Sequence, residues 1–265
     1  MSPYRGLAQT APDLLICSGL DPSGGAGLIA DVRVVSELGA RPSGVVTALT
    51  VQNTTGVVEM QACDPELIGH QLAFLLTDVE VRAVKIGMIG STAIAKAIAN
   101  ALHLTSAPVV WDPILFPSRG NLALTDNTID DAMAALRPHV TIITPNAREL
   151  ATLADLAITD LASAEVAGRA LASRLDCAVL VKGGHLAGDE SIDVLLTANG
   201  REELRAPRIP SGEHVHGTGC ALASAIATHL AHGRELSEAV SLAKDFVRER
   251  IASPARPGRG APAAV

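Results

Sequence analysis

Apolar residues fall along this chain in short blocks that follow two alternating periods. Aliphatic runs at 14–19, 43–51, 83–86, 109–112, 140–143 and 178–181 are rich in Val, Ile and Leu and predict buried strands. Between them, residues 27–38, 65–77, 93–102, 129–136, 147–153 and 163–175 carry apolar side chains at helical spacing. Such alternation predicts an α/β fold with a mostly parallel sheet covered on both faces. The rhythm breaks once, where 192–197 and 202–206 flank Asn199-Gly200. That pair suits a tight turn, so an antiparallel hairpin at the sheet edge is expected. Helices at 220–230 and 237–251 follow. The last stretch, 253–265, is Pro, Gly, Ala and Arg, a composition that predicts disorder. The reading is one domain over 13–252, with flexible ends at 1–12 and 253–265.

Composition narrows the function classes. Hydrophobic residues make up 48% and aromatics 2%, so the core must be aliphatic and base stacking is not available as a binding mode. A net charge of −7 argues against general nucleic-acid affinity. Cys17, Cys63, Cys177 and Cys220 show neither CxxC pairing nor metal-ligand spacing, which suits free thiols in a reducing compartment. Residues 1–12 have no apolar core of a signal peptide, and no apolar run is long enough to span a bilayer, so a cytoplasmic protein is expected.

Candidate chemistry gathers at the carboxyl ends of the predicted strands, where open α/β sheets bind ligands. Gly24-Gly25-Ala26-Gly27 follows the first strand. Read from Gly25 it gives G-x-G-x-x-A, but the next strand lacks the acidic residue that would hold a ribose, and no Walker A loop occurs. A tight turn and a ligand contact fit that segment equally well. His216-Gly217-Thr218-Gly219-Cys220 precedes an Ala-rich helix, so backbone N–H groups and the helix dipole could hold an anion there. A cysteine in that first turn is expected to have its thiolate favoured, and could take a proton from an attacking hydroxyl. The plainer alternative is a small residue at a helix start. Asn146 and Glu149 share a helix face after the strand 140–143; they suit Mg²⁺ through water, or equally a capping box. Asp112 and Lys182 end two further strands.

In order, these segments closely resemble the hydroxymethylpyrimidine/phosphomethylpyrimidine kinases of thiamine biosynthesis, within the ribokinase-like superfamily. The matching stretches include Gly19-Leu20-Asp21-Pro22-Ser23-Gly24-Gly25-Ala26-Gly27, Val84-Lys85-Ile86-Gly87-Met88, Asp112-Pro113 and Val181-Lys182-Gly183-Gly184-His185. Thr50-Val51-Gln52-Asn53, Thr144-Pro145-Asn146 with Glu149, and the turn ending in Cys220 complete the set. The resemblance implies a three-layer αβα sandwich with a small β flap, a homodimer, and transfer of phosphate from ATP with Mg²⁺. It implies that Gln52 holds an aminopyrimidine, with Gly19, Asp21, Ala26, Thr50 and Met88 around it. It further implies Cys220 as general base, Gly217 and Gly219 as anion hole, Asp112, Lys182 and Thr218 near the nucleotide, and Asn146 and Glu149 on the metal. The expected reaction takes 4-amino-5-hydroxymethyl-2-methylpyrimidine to its monophosphate and then its pyrophosphate.

Leu20, Val215 and the stretch 116–120 depart from the family's usual residues. The alternatives are a pyridoxal kinase, since that ring also bears a hydroxymethyl group, and a non-catalytic pyrimidine sensor. A nicotinamide-dependent oxidoreductase is disfavoured by the missing ribose acid.

Overall fold

The computed structural model describes residues 11–116, 129–184, 189–210 and 212–265. A nine-stranded sheet runs through them in the order β3-β2-β1-β4-β5-β6-β7-β8-β9. The central strands are β1 (Asp13–Leu20), β4 (Val81–Ile86), β5 (Val109–Trp111), β6 (Val140–Ile143) and β7 (Ala178–Val181). These pair in parallel, as does β1 with β2 (Arg41–Asn53). Both edges are antiparallel: β3 (Gly56–Ala62) folds back on β2, while β8 (Glu190–Thr197) and β9 (Gly200–Pro207) form the expected hairpin.

Strand residues alternate between two apolar layers because successive side chains point to opposite faces. Leu15, Val84, Trp111, Ile143 and Val179 join the layer beneath α2 (Pro65–Leu76), α3 (Thr92–Leu102), α4 (Ile129–Leu136), α5 (Ala147–Ala154) and α6 (Leu161–Leu175). Leu14, Ile16, Ala83, Val110 and Leu180 face α1 (Gly27–Glu37), α7 (Thr218–Ala231) and α8 (Leu236–Ala252). The second layer is narrow, since α7 presents Ala221, Ala223, Ala225 and Ala227, all fully buried. Helix starts follow local chemistry: Asp64, Ser91 and Asp160 each accept a first-turn backbone N–H.

Three expectations are corrected. The periodicity places no strand at 56–62, where β3 pairs with β2 as the small β flap that the resemblance implies; its exposed edge lacks the aliphatic run of a buried strand. The hairpin turn falls on Ala198 and Asn199, because Thr197 pairs with Gly200. The tail 253–265 is not a disordered end. Ala261, Ala263 and Ala264 are buried, and its backbone is paired on both sides. The Ala261 N–H donates to the Thr54 carbonyl (2.9 Å), the His216 N–H to that of Pro262 (2.8 Å) and the Ala264 N–H to that of His216 (2.9 Å). Small side chains let this strap lie flat across the turn between β2 and β3 and the turn before α7. Composition reads it as disordered because its stabilisation is in backbone bonds and methyl burial. Deleting 253–265 is expected to lower stability by about 2–3 kcal/mol, or roughly 5–10 °C in thermal unfolding. A melting curve unchanged within 2 °C or so would contradict that packing.

Candidate active site

A cavity of about 710 Å³ opens at the carboxyl ends of the central strands. The residues assigned a site role from the sequence line it: Gly19, Asp21, Ala26, Thr50, Gln52 and Met88, together with Asp112, Asn146, Glu149, Lys182, Gly217, Thr218, Gly219 and Cys220. Segments distant in sequence meet there because each follows a parallel strand or begins a helix.

At the flap end, β2 and β3 turn Thr50, Gln52 and Val57 inward, while Leu49 and Val51 face outward. Met88 packs with Ala48, Met60 and Ile114, and a side chain at Gly19 would run into the Met88 methyl. The result is an apolar floor below the Gln52 amide. The Thr50 hydroxyl lies 2.9 Å from the Leu20 carbonyl and 3.2 Å from Gln52 Oε1, while Gln52 Nε2 is 3.3 Å from His216 Nε2. Leu20 thus contributes its carbonyl to this wall, which needs no polar side chain at that position.

Asp21 organises the first glycine turn. Its carboxylate accepts from the Ser23 N–H (2.8 Å) and hydroxyl (2.7 Å) and from the Ala26 N–H (3.1 Å), and His216 Nε2 is 3.4 Å away. Burial pushes this carboxyl up, but the His216 and Ser23 contacts outweigh it and hold the group below its ordinary value. The two glycine turns then interlock. Gly217 has φ +80°, and a Cβ there would stand 1.9 Å from the Gly25 carbonyl oxygen. Glycines 25 and 27 serve this close approach and the packing of α1 on β1, with Leu20 and Gly27 forming an isolated bridge.

Gly217 is the N-cap of α7 and supplies no side-chain cap, and the Ala221 N–H bonds back to its carbonyl (2.9 Å). The preceding N–H groups, of Thr218, Gly219 and Cys220, therefore begin the helix without that intrahelical partner, at its positive end. Lys182 Nζ is 3.3 Å from Asp112 Oδ1, which also accepts from the Thr144 hydroxyl (3.2 Å). A Cβ at position 219 would lie 3.4 Å from Lys182 Nζ, so the bare glycine opens the helix start onto this ion pair. Burial pulls the Lys182 ammonium down, yet Asp112 and Glu149 leave it raised overall.

Asn146 and Glu149 form the capping box that their spacing allowed: the Glu149 N–H donates to Asn146 Oδ1 (2.9 Å) and the Asn146 N–H to Glu149 Oε2 (2.8 Å). Glu149 is nonetheless buried beside Asp112, and burial followed by that like charge pushes it up to about 7 against the pull of Lys182. Two carboxylates sharing one ammonium fit a divalent cation that brings its own water and phosphate ligands. Among the described residues no group of three or more His, Cys, Asp or Glu makes an all-protein cage.

Cys220 corrects an expectation. It is 6% exposed, and although the nearby Gly27 N–H favours the thiolate, burial pushes the thiol up to about 12. The helix start favours the thiolate locally, but removal from water dominates.

Several lining residues were not singled out from sequence. His216 sits between Gln52 and Asp21, and its signal was its place in the glycine turn. Ile209, Val215, Leu222, Val247 and Ile251 make an apolar end against α8. Val215, noted as a departure, is buried there. Arg148 lies 3.9 Å over the Phe116 ring, whereas His185 and residues 117–120 are outside the described residues. Among those described, no helix is long and apolar enough to cross a membrane.

Comparison with known proteins gives the family. Residues 21–264 match the family model for phosphomethylpyrimidine kinase, running through the strap that composition had set aside. The chain is 38% identical over 245 residues to the hydroxymethylpyrimidine/phosphomethylpyrimidine kinase of Streptomyces coelicolor, covering 91% of this chain and 89% of that one. It is 37% identical to the Escherichia coli protein of the same name, covering 90% of each. Among solved structures, the phosphomethylpyrimidine kinase of Clostridium difficile superposes with a TM-score of 0.77 at 34% identity, over 91% of this chain and 99% of that one. A Staphylococcus aureus pyridoxal kinase bound to ADP gives 0.86 at 25% identity, over 96% and 92%. With the family model spanning nearly the whole chain and relatives this similar along their length, the chain belongs to the phosphomethylpyrimidine kinase family.

Proposed function

We propose that this kinase phosphorylates 4-amino-5-hydroxymethyl-2-methylpyrimidine with ATP, and then phosphorylates the monophosphate to the pyrophosphate. What supports this reading is that Gln52 and Cys220 line one cavity together with the apolar Met88. The Gln52 amide offers one donor and one acceptor, which match a ring nitrogen and an exocyclic amine. The Met88 side of the pocket covers the flat face of the ring. The hydroxymethyl group then points toward Cys220 and the start of α7.

In the first step the Cys220 thiolate takes the hydroxyl proton as the oxygen bonds to the γ-phosphorus and the bond to ADP breaks. N–H groups at Gly217 to Cys220 hold the charge that develops on the transferring phosphoryl group, and Lys182 neutralises the phosphates beside them. Asp112 and Glu149 would hold Mg²⁺ through its water shell, with Asn146 fixing Glu149; the ion supplies charge neutralisation at the phosphates. In the second step the monophosphate oxygen is the nucleophile and carries no proton that must be removed. That difference lets one pocket serve both acceptors. Leu49, Val51 and Val58, exposed on the flap strands, supply the apolar surface for the homodimer implied by the family.

The pyridoxal kinase reading has one observation in its favour, the high structural similarity to the Staphylococcus aureus enzyme. Gln52 separates the two. Gln52→Ala is expected to raise the Kd of the pyrimidine by roughly 10- to 100-fold, because the ring loses a paired polar contact, while pyridoxal binding changes far less. Calorimetric titration of both ligands into both proteins checks this. Equal effects on the two ligands would remove Gln52 as the reader of the aminopyrimidine.

A further inference from the structure

Beneath Cys220 lies a buried ionic network that the phosphoryl-transfer scheme does not use. Lys85, in the middle of the sheet on β4, has no exposed side-chain surface, and neither has its partner Asp31 on α1. Their separation is 2.6 Å. The Ser224 hydroxyl of α7 donates to the other Asp31 oxygen (2.8 Å), and Lys85 Nζ is also 3.4 Å from the Ser18 hydroxyl on β1. Gly87 leaves the space that this ammonium fills, since a Cβ there would lie 2.7 Å from Lys85 Nζ.

The two helices meet in matching turns. Gly27 and Asp31 are one turn apart on α1, and Cys220 and Ser224 are one turn apart on α7. In the upper turn the Gly27 N–H lies near the Cys220 sulfur, and in the lower turn Asp31 accepts from Ser224, with Lys85 closing the gap from the sheet. A buried ion pair is a poor way to gain stability, because an apolar pair of like volume does as well or better. Its place beneath Cys220 therefore asks for another role.

We propose that Lys85 is a positioning residue that keeps a permanent positive charge beneath Cys220 and so stabilises its thiolate, with Asp31 and Ser224 fixing where that charge sits. The charged groups that face Cys220 are Lys85 from β4, Asp31 from α1, Asp112 after β5 and Lys182 after β7. Lys85 stands first among those that oppose the effect of burial on the thiol. It keeps its own protons throughout. Cys220 loses a proton to water, takes one from the substrate hydroxyl, and releases it to water again. The role for Lys85 presupposes Cys220 as general base, but it predicts a property of the sulfur that can be read without turnover.

The test is the pH dependence of Cys220 alkylation by iodoacetamide in the ligand-free protein, followed by mass spectrometry of the peptide containing Cys220. Ser224→Ala removes a hydrogen bond to Asp31 but neither charge, so labelling at pH 8 should stay within about threefold of the wild type. The neutral pair Lys85→Met with Asp31→Asn removes both charges and should label at least about tenfold slower, with its pH curve moved to higher pH. A shift confined to the charge-free pair is the signature, since loosened packing would move both variants the same way. Curves for both folded variants that coincide with the wild type, or shift together, would overturn the proposal. Turnover by Cys220→Ala is measured alongside: if it stayed full while the labelling shifts appeared, the general-base reading would fail and the electrostatic link would stand.

Discussion

Cys220→Ala should lower kcat for the hydroxymethylpyrimidine by about 10²- to 10⁴-fold, the range that general-base catalysis supplies, with pyrimidine affinity within about threefold of the wild type. The substitution leaves α7 intact, because alanine is the best helix former and the position is already enclosed. What disappears is the acceptor for the hydroxyl proton. A sign in pH follows from the same residue. Burial pushes the free-enzyme thiol up to about 12, so below that value each unit of pH raises the thiolate fraction about tenfold. The quotient kcat/KM for the hydroxymethyl substrate should therefore climb from pH 8 to 9 with a logarithmic slope of about one, while below that range ionisation of Glu149, pushed up to about 7, adds to the slope for both acceptors. The monophosphate brings no such proton, and its profile should be flatter. Steady-state kinetics on both acceptors across that range checks the pair, and identical slopes would count against Cys220 as base.

Gly217→Ala should be the more damaging change to the scaffold. The residue has φ +80°, where a side chain costs roughly 1–2 kcal/mol, and its Cβ would lie 1.9 Å from the Gly25 carbonyl. Relief requires the two glycine turns to part. Those turns position Ala26 and the start of α7 together, so separation also displaces Cys220 from the Gly27 N–H. We expect a loss of about 2–4 kcal/mol in stability and about 100-fold in kcat, since displacements near 1 Å at a transfer site have effects of that size. Gly233→Ala, where φ is +80° but no atom lies within 4 Å of the added methyl, isolates the backbone component. Similar losses of kcat in the two variants would mean that the interlocking of the turns is immaterial.

Much of this molecule could be read from the chain because local signals and the tertiary fold agree. The strands from β4 to β7 are buried on both faces, so their aliphatic runs are unambiguous, and each is followed by its site residues at the carboxyl end. Asn146 and Glu149 show the limit of spacing: the capping box is present, and the same carboxylate also faces the cavity. Strand β3 was invisible because an edge strand with one wall on a cavity has no simple alternation. The strap at 253–265 was misread because backbone pairing to Thr54 and His216 leaves no mark in composition. The sequence assigns Lys85 no role beyond the strand it lies in; only the fold brings Asp31 and Ser224 to it. The thiol of Cys220 was misjudged for a related reason, since position in a helix is local and burial is not.

The central claim is phosphoryl transfer to the aminopyrimidine and then to its monophosphate. The most direct measurement is ATP- and Mg²⁺-dependent turnover of hydroxymethylpyrimidine, its monophosphate and pyridoxal in parallel, with products separated by chromatography. The account predicts sequential appearance of the pyrimidine monophosphate and pyrophosphate, with pyridoxal a poor acceptor. Turnover of pyridoxal alone, or of no acceptor at all, would contradict it.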